Sequence, residues 1–213
     1  MECKRCGGTD HPNARWLACP ENLITKKIAS WDGNCLADCV ITDAVIAGFM
    51  DADGTIGFYP RLQISMSQAH HFGKDLLDLI STYINSGSVT GPIKNELYTL
   101  RWYGANANDI YEVMVANGVI KGTVGPRLYN ITDEWIGGFF AGDGSARKTK
   151  SCCYVSLGQE SSPSVLYAIK DYLGYGTVYG DREWTCCGAN ARAFALRFKD
   201  FALHKRSDLI NLL

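Results

Sequence analysis

The chain has 213 residues, 46% of them hydrophobic and 20% charged, with 22 glycines and 6 prolines. That length and apolar content can bury a core in one large domain or two small ones, and they exclude a mainly disordered chain. Lysine and arginine total 21 against 22 acids, a net charge of −1, so bulk charge gives no pointer to nucleic acid, and any such partner must be met by locally placed residues.

Residues 1–40 read as a cysteine-rich arm. Met1-Glu-Cys-Lys-Arg-Cys6 is polar with no apolar run behind it, unlike a secretory signal, and no apolar run in the chain is long enough for a membrane helix. With nine cysteines, an odd number, an intracellular and reducing compartment is the expectation. Cys3-Lys-Arg-Cys6-Gly7 has the form of a zinc knuckle. Cys3, Cys6, Cys35 and Cys39 make the tidiest tetrahedral set for Zn²⁺; Cys3, Cys6, Cys19 and Cys35 follow closely, and His11 is a further candidate. The competing reading is an extended arm with free thiols.

Beyond the arm, Thr42-Asp43 opens a helix whose apolar face carries Ile46, Phe49 and Met50 and which ends at Gly54. Leu62, Ile64 and Met66 then alternate with Arg61, Gln63, Ser65 and Ser67, a half-buried strand. Phe72, Leu76, Leu79, Ile80 and Tyr83 recur at helical spacing. A glycine-bounded hairpin follows, its second arm holding Leu97, Tyr98 and Leu100-Arg-Trp-Tyr103. Asn106, with Asp109 three residues on, reads as the cap of the next helix.

The chain repeats itself. Ile46-Ala-Gly-Phe-Met-Asp-Ala-Asp-Gly54 returns as Ile136-Gly-Gly-Phe-Phe-Ala-Gly-Asp-Gly144. In the same order Gln68 matches Gln159, Tyr83 matches Tyr172, Gly104-Ala-Asn-Ala107 is identical to Gly188-Ala-Asn-Ala191, and Lys121 matches Lys205. A duplicated unit of roughly 80 residues is the result. Each copy predicts the order αββαββα, in an α/β (α+β) class. Residues 41–130 form the first unit and 131–213 the second, with helix contact joining both into one larger, saddle-shaped antiparallel sheet.

Both motif segments resemble the LAGLIDADG homing endonucleases, in the single-chain, two-motif form, over roughly residues 40 to 213. That resemblance implies a pseudo-dimer that acts as a monomer, cutting double-stranded DNA at a long, pseudo-palindromic site by divalent-metal catalysis. The residues agree with it. Ala47, Gly48 and Ala52, with Gly137, Gly138, Ala141 and Gly142, would let two helices meet backbone to backbone; a helix-interior glycine costs about 1 kcal/mol against alanine, so so many call for a packing reason. Close crossing would bring Asp53 and Asp143 together beside carbonyl ends, an acidic pair suited to Mg²⁺ and to two-metal phosphodiester hydrolysis. An EF-hand reading fails, because aligning Gly54 with that loop's glycine puts Phe49 and Pro60 where acids are required. The earlier acid of the motif is Asp51 in the first copy but Ala141 in the second, so Asp51 reads as a packing or capping residue.

The resemblance further implies that Gln68 and Gln159 organise metal-bound water and that Lys121 and Lys205 stabilise the transition state. It also implies that the outward strand face enters the major groove. Arg61, Gln63, Ser65 and Ser67 would face DNA from the first unit, and Tyr154 and Ser156 from the second. The hairpin arms add Lys94, Arg101, Arg182 and Arg192, and Arg147-Lys148-Thr-Lys150 reads as a basic turn. The runner-up function is a non-cleaving nucleic-acid binder, an intron RNA maturase or a regulator on the same scaffold. Two converging acids favour the nuclease, since a pure binder has no need of them.

Overall fold

A computed structural model describes residues 36–58, 60–93, 96–118 and 130–213. Cys3, Cys6, Cys35, Lys94 and Lys121 lie outside the described residues. The first unit runs α1 (Asp43–Asp53), β1 (Gly54–Gly57), β2 (Gln63–Ala69), α2 (His70–Ile84), β3 (Ser88–Ile93), β4 (Leu97–Tyr103) and α3 (Ala105–Ala116). The second runs α4 (Asp133–Asp143), β5 (Gly144–Lys148), β6 (Cys153–Gly158), α5 (Ser164–Leu173), β7 (Thr177–Tyr179), β8 (Glu183–Cys187) and α6 (Ala189–Phe198). A 3-10 turn at Leu203–Lys205 and α7 (Arg206–Ile210) follow. The αββαββα order of both copies is observed.

The repeated helices start alike. Thr42 Oγ1 accepts from the Val45 amide at 3.2 Å, and Thr132 Oγ1 from the Trp135 amide at 3.1 Å, so each threonine satisfies one orphan donor of the first turn. The third pair of helices departs from expectation. Gly104, not Asn106, precedes α3, and Gly188 precedes α6, with φ of 57° and 60°. The chain leaving each hairpin turns through a left-handed φ that favours glycine, which moves the helix start forward to Ala105.

The strands form two four-stranded antiparallel sheets, ordered β1-β2-β4-β3 and β5-β6-β8-β7, where one larger sheet was expected. β1 and β5 are edge strands that issue directly from the ends of α1 and α4, so the helix pair rather than strand pairing joins the two units. Alternation holds within each sheet. Ile64 and Met66, Leu100 and Trp102, Val155 and Leu157, and Trp184 and Cys186 are buried against helices, and their neighbours in sequence face the other way. One core spans both units, with Trp102, Trp135, Trp184, Phe49, Phe139, Phe140, Phe194 and Phe198 fully buried. Each such side chain contributes about 1.5–3 kcal/mol. Among the described residues no helix is long and apolar enough to cross a membrane.

Candidate active site

α1 and α4 cross at backbone distance, and the contact is reciprocal. A Cβ placed on Gly48 would lie 2.0 Å from the Trp135 carbonyl oxygen, and one on Gly138 would lie 1.9 Å from that of Val45. Gly48 and Gly138 are repeat mates, as are Val45 and Trp135, so the crossing obeys a local two-fold relation. Nothing larger than glycine fits at either place. Asp51, buried at 1% exposure, accepts from Trp135 Nε1 at 3.3 Å and ties the helices from the side, the packing role expected of it.

That crossing brings the C-terminal ends together. A Cβ on Gly142 would sit 2.3 Å from Ala52 Cβ and 3.2 Å from Asp53 Cγ. Asp53 and Asp143, the last residues of α1 and α4, are both half-buried there. Lys205 reaches the same place from the 3-10 turn: its Nζ donates to the carbonyl of Gly144 at 2.8 Å and to that of Gly142. Burial pushes the Lys205 pKa down, while Asp53, Asp143 and Asp208 all pull it up. One ammonium therefore feels both acids. Beside it, His204 is pushed down to about 4 by burial and by the Lys205 charge, so its imidazole is neutral near pH 7.

The two glutamines are not equivalent. Gln68 Nε2 donates to Asp53 Oδ2 at 2.6 Å. Gln159, only 8% exposed, keeps its Nε2 3.5 Å from the Asp51 carbonyl, and its Oε1 accepts from the amide of Ser161 at 3.1 Å and from its hydroxyl at 2.7 Å. A concavity of about 610 Å³ opens beside Asp143, lined by Ala52, Ser156, Gln159, Arg182 and Glu183 among others. It connects the acid to the outer face of the second sheet.

The donors at the helix ends are carboxylate and carbonyl oxygens, hard ligands of the kind Mg²⁺ and Ca²⁺ take. An ammonium already seated on two of those carbonyls marks the spot as one that holds a cation. Among the described residues, no group of three or more His, Cys, Asp or Glu gathers in a metal-binding arrangement, here or elsewhere, so the two acids would need backbone, water or phosphate oxygens to complete a cation's shell. Of the proposed zinc set only Cys39 is described; it is buried, with its thiol 3.1 Å from the Leu203 carbonyl oxygen as donor.

No protein-family model matches the chain, and no curated protein matches it. Solved structures do. The LAGLIDADG meganuclease I-AabMI bound to uncleaved DNA is 15% identical over 81% of this chain and 89% of its own, with a TM-score of 0.63. I-SmaMI bound to an uncleaved DNA target in the presence of calcium ions is 15% identical over 81% and 89%, with a TM-score of 0.57. The homing endonuclease I-GzeII in complex with its DNA target is 14% identical over 81% and 88%, also at 0.57. The chain has the LAGLIDADG meganuclease fold.

On this meganuclease fold the outer sheet faces hold most of the residues expected to meet DNA. Gln63, Ser65 and Ser67 lie on β2; Ser65 pairs with Arg101 of β4, and the Ser67 and Thr99 hydroxyls are 3.0 Å apart. Tyr154 and Ser156 face outward on β6, and the Arg147 guanidinium lies 5.0 Å over the Tyr154 ring, its cross-strand partner. Several placements differ from expectation. Arg147 and Lys148 belong to β5 rather than to a turn, because residues 144–148 pair in register with 153–157; only Lys150 lies in the hairpin turn. Lys148 Nζ donates to the Asn211 carbonyl at 3.1 Å. Arg61 falls in the exposed bend before β2, outside the strand. Arg182 precedes β8, exposed and 4.0 Å from Glu160. Arg192 is on α6, which packs against the inner face of the second sheet, so it is not on a hairpin arm. Sequence reasoning passed over Ser145, Glu183 and Thr185, which line a second concavity of about 540 Å³ on the outer face with Arg147, Tyr154 and Ser156. The inward pair Trp184 and Cys186 was the available signal for the last two, since their neighbours must face outward.

Proposed function

We propose that the chain is a sequence-specific, Mg²⁺-dependent DNA endonuclease of the homing type. It acts as a monomer, with residues 41–130 and 131–213 each reading one half of a long, pseudo-palindromic duplex site. The observation that carries this reading is the approach of Asp53 and Asp143 at the crossed ends of α1 and α4, with the Lys205 ammonium on the carbonyls of Gly142 and Gly144 and within the field of both acids. The three meganuclease structures named above were captured on DNA, one of them in the presence of calcium ions, which favours the same partner and the same class of ion.

Divalent ions bound at such a site supply positive charge beside the scissile phosphate and make water a stronger nucleophile. The chain's own groups do the rest. Asp53 and Asp143 would hold the cations, and Gln68 fixes the rotamer of Asp53 through its 2.6 Å hydrogen bond. The Lys205 ammonium offsets both acids and the negative ends of the helix dipoles, so a phosphodiester can approach a site that would otherwise repel it. The outer strand faces would present their side chains to the major groove, where base edges are distinguishable. Arg101 on the interior strand β4 and Arg147 on the edge strand β5 would read base edges, and Arg61 and Arg182, outside the strands, would hold phosphates. Zn²⁺ on Cys3, Cys6, Cys35 and Cys39 is proposed for the arm; it requires the Cys39 thiol to leave the Leu203 carbonyl.

Incubation with a randomised duplex library in Mg²⁺ tests the function. The expected result is double-strand cutting at a family of related long sites, abolished by a chelator. Tight binding without cutting in Mg²⁺ or Mn²⁺ would favour the non-cleaving binder instead.

A further inference from the structure

We propose that Lys205 is the resident cation of the metal-free site, and that divalent ions load by displacing its ammonium from the carbonyls of Gly142 and Gly144. The inference rests on the metal-dependent reading above and concerns how that metal enters.

The lysine is placed by the fold rather than left to solvent. Its turn is anchored by fully buried Leu203, whose φ is 46° and whose carbonyl accepts from the Cys39 thiol at 3.1 Å. The Lys205 amide closes the turn onto the Ala202 carbonyl at 2.9 Å. From there the side chain reaches the end of α4 and spends two donors on backbone carbonyls. Ordering a long side chain costs rotamer entropy, so a fixed double contact calls for a partner worth holding. That partner is a concentration of negative charge: two carboxylates and the carbonyl end of a helix.

Gly142 and Gly144 flank Asp143. A divalent ion held by Asp143 that also drew on a flanking carbonyl would compete for the oxygen the ammonium now occupies. Two cations sharing those oxygens would repel each other strongly. The displaced ammonium, still half-buried beside the incoming ion, needs another anion, and a DNA phosphate laid across the helix ends provides one. Lys205 thus makes metal binding weak in the free protein and stronger on DNA, a coupling between two ligands through one side chain.

Two measurements on the whole chain test this. In metal-free protein with ¹⁵N-labelled lysine, the Lys205 ammonium should give a protected Nζ signal that moves or vanishes as Ca²⁺ is added without DNA. By calorimetry, Lys205→Met should bind Ca²⁺ at least about tenfold more tightly than the natural protein in the absence of DNA, the order expected from removing one unit charge at contact distance. With an uncut duplex bound, that difference should shrink to about twofold or less, because the natural protein's ammonium then has a phosphate to pair with. Equal or weaker Ca²⁺ binding by the variant, no Ca²⁺ binding by either protein, or a Lys205 signal unmoved at saturating Ca²⁺ would overturn the proposal. The resonance decides the matter even if the variant fails to fold. A protein that meets these expectations yet cuts no DNA in Mg²⁺ would refute the nuclease reading alone.

Discussion

Gln68 donates to Asp53 at 2.6 Å, whereas its repeat mate Gln159 is held by Ser161 and lies against the Asp51 carbonyl. The two halves of the centre therefore support their acids differently. Gln68→Ala should slow cutting by about 10–100-fold, the usual effect of removing a group that orients a metal ligand. Gln159→Ala should slow it less. Strand-resolved cleavage of an end-labelled duplex should show the Gln68 variant impaired mainly on one strand; equal loss on both strands, or none, would contradict the asymmetry.

Gly138→Ala tests the helix crossing. Its Cβ would fall 1.9 Å from the Val45 carbonyl oxygen, and backbone on both sides leaves no flexible side chain to move away. The helices must part, at a cost of about 3 kcal/mol, the upper part of the range for overpacked cores. Gly174→Ala, where a Cβ would meet nothing within 4 Å, is a useful contrast, because its left-handed φ of 74° strains the backbone without touching the crossing. Denaturant unfolding measures both, and only the Gly138 variant should also lose cleavage.

The sequence made α1 and α4 legible because their threonine caps, apolar spacing and terminal Asp-Gly recur intact in both copies. It exposed the inward and outward faces of β2 and β6 equally well, since alternation is a period-two signal. Other features depended on partners that a one-dimensional reading does not contain. Arg147 and Lys148 look like a basic turn until β6 pairs with them and makes them an edge strand. Gly104 looks like a hairpin residue, but its φ of 57° sets the helix start that Asn106 was expected to set. Gln159 was read as the twin of Gln68. It differs because Ser161 stands two residues on and captures its oxygen, at a position where the first copy has His70. Lys205 was expected to stabilise the transition state, and the fold places its ammonium on two carbonyls.

Stability should depend on pH through Asp43. Burial raises its carboxyl to about 6, with the Tyr83 hydrogen bond of 2.9 Å working the other way. The folded pKa lies above the unfolded one, so the folded state holds this proton longer, and ionising Asp43 costs stability. That cost is absent below about pH 4, grows through about pH 6, and then stays, at up to about 3 kcal/mol. It outweighs the roughly 0.3–1 kcal/mol that an acid gains at a helix N-terminus. Asp43→Asn should therefore raise the melting temperature at pH 7.5 and leave it nearly unchanged at pH 4. A gain that does not vary with pH would contradict the account.

On the DNA face, Arg147→Ala should cost about 1–3 kcal/mol and relax preference at one base pair, as loss of a bidentate contact does. Arg101→Ala should behave likewise in the other half-site. Arg182→Ala should weaken all sequences alike and lower the salt slope by roughly one unit, the effect of losing one phosphate contact. Binding titrations at several salt concentrations, on the selected site and on single-base variants, separate the two patterns. Affinity unchanged by all three substitutions together would show that the outer sheet face is not where DNA lies.

The most direct test of the central claim replaces each acid in turn. With the selected duplex, Mg²⁺-dependent double-strand cutting and equilibrium binding are measured side by side for the natural protein, Asp53→Asn and Asp143→Asn. Either variant should lose double-strand cutting while binding DNA as tightly as before, or more tightly, because a carboxylate no longer repels the phosphates. Undiminished cutting by either variant would contradict the assignment of the site.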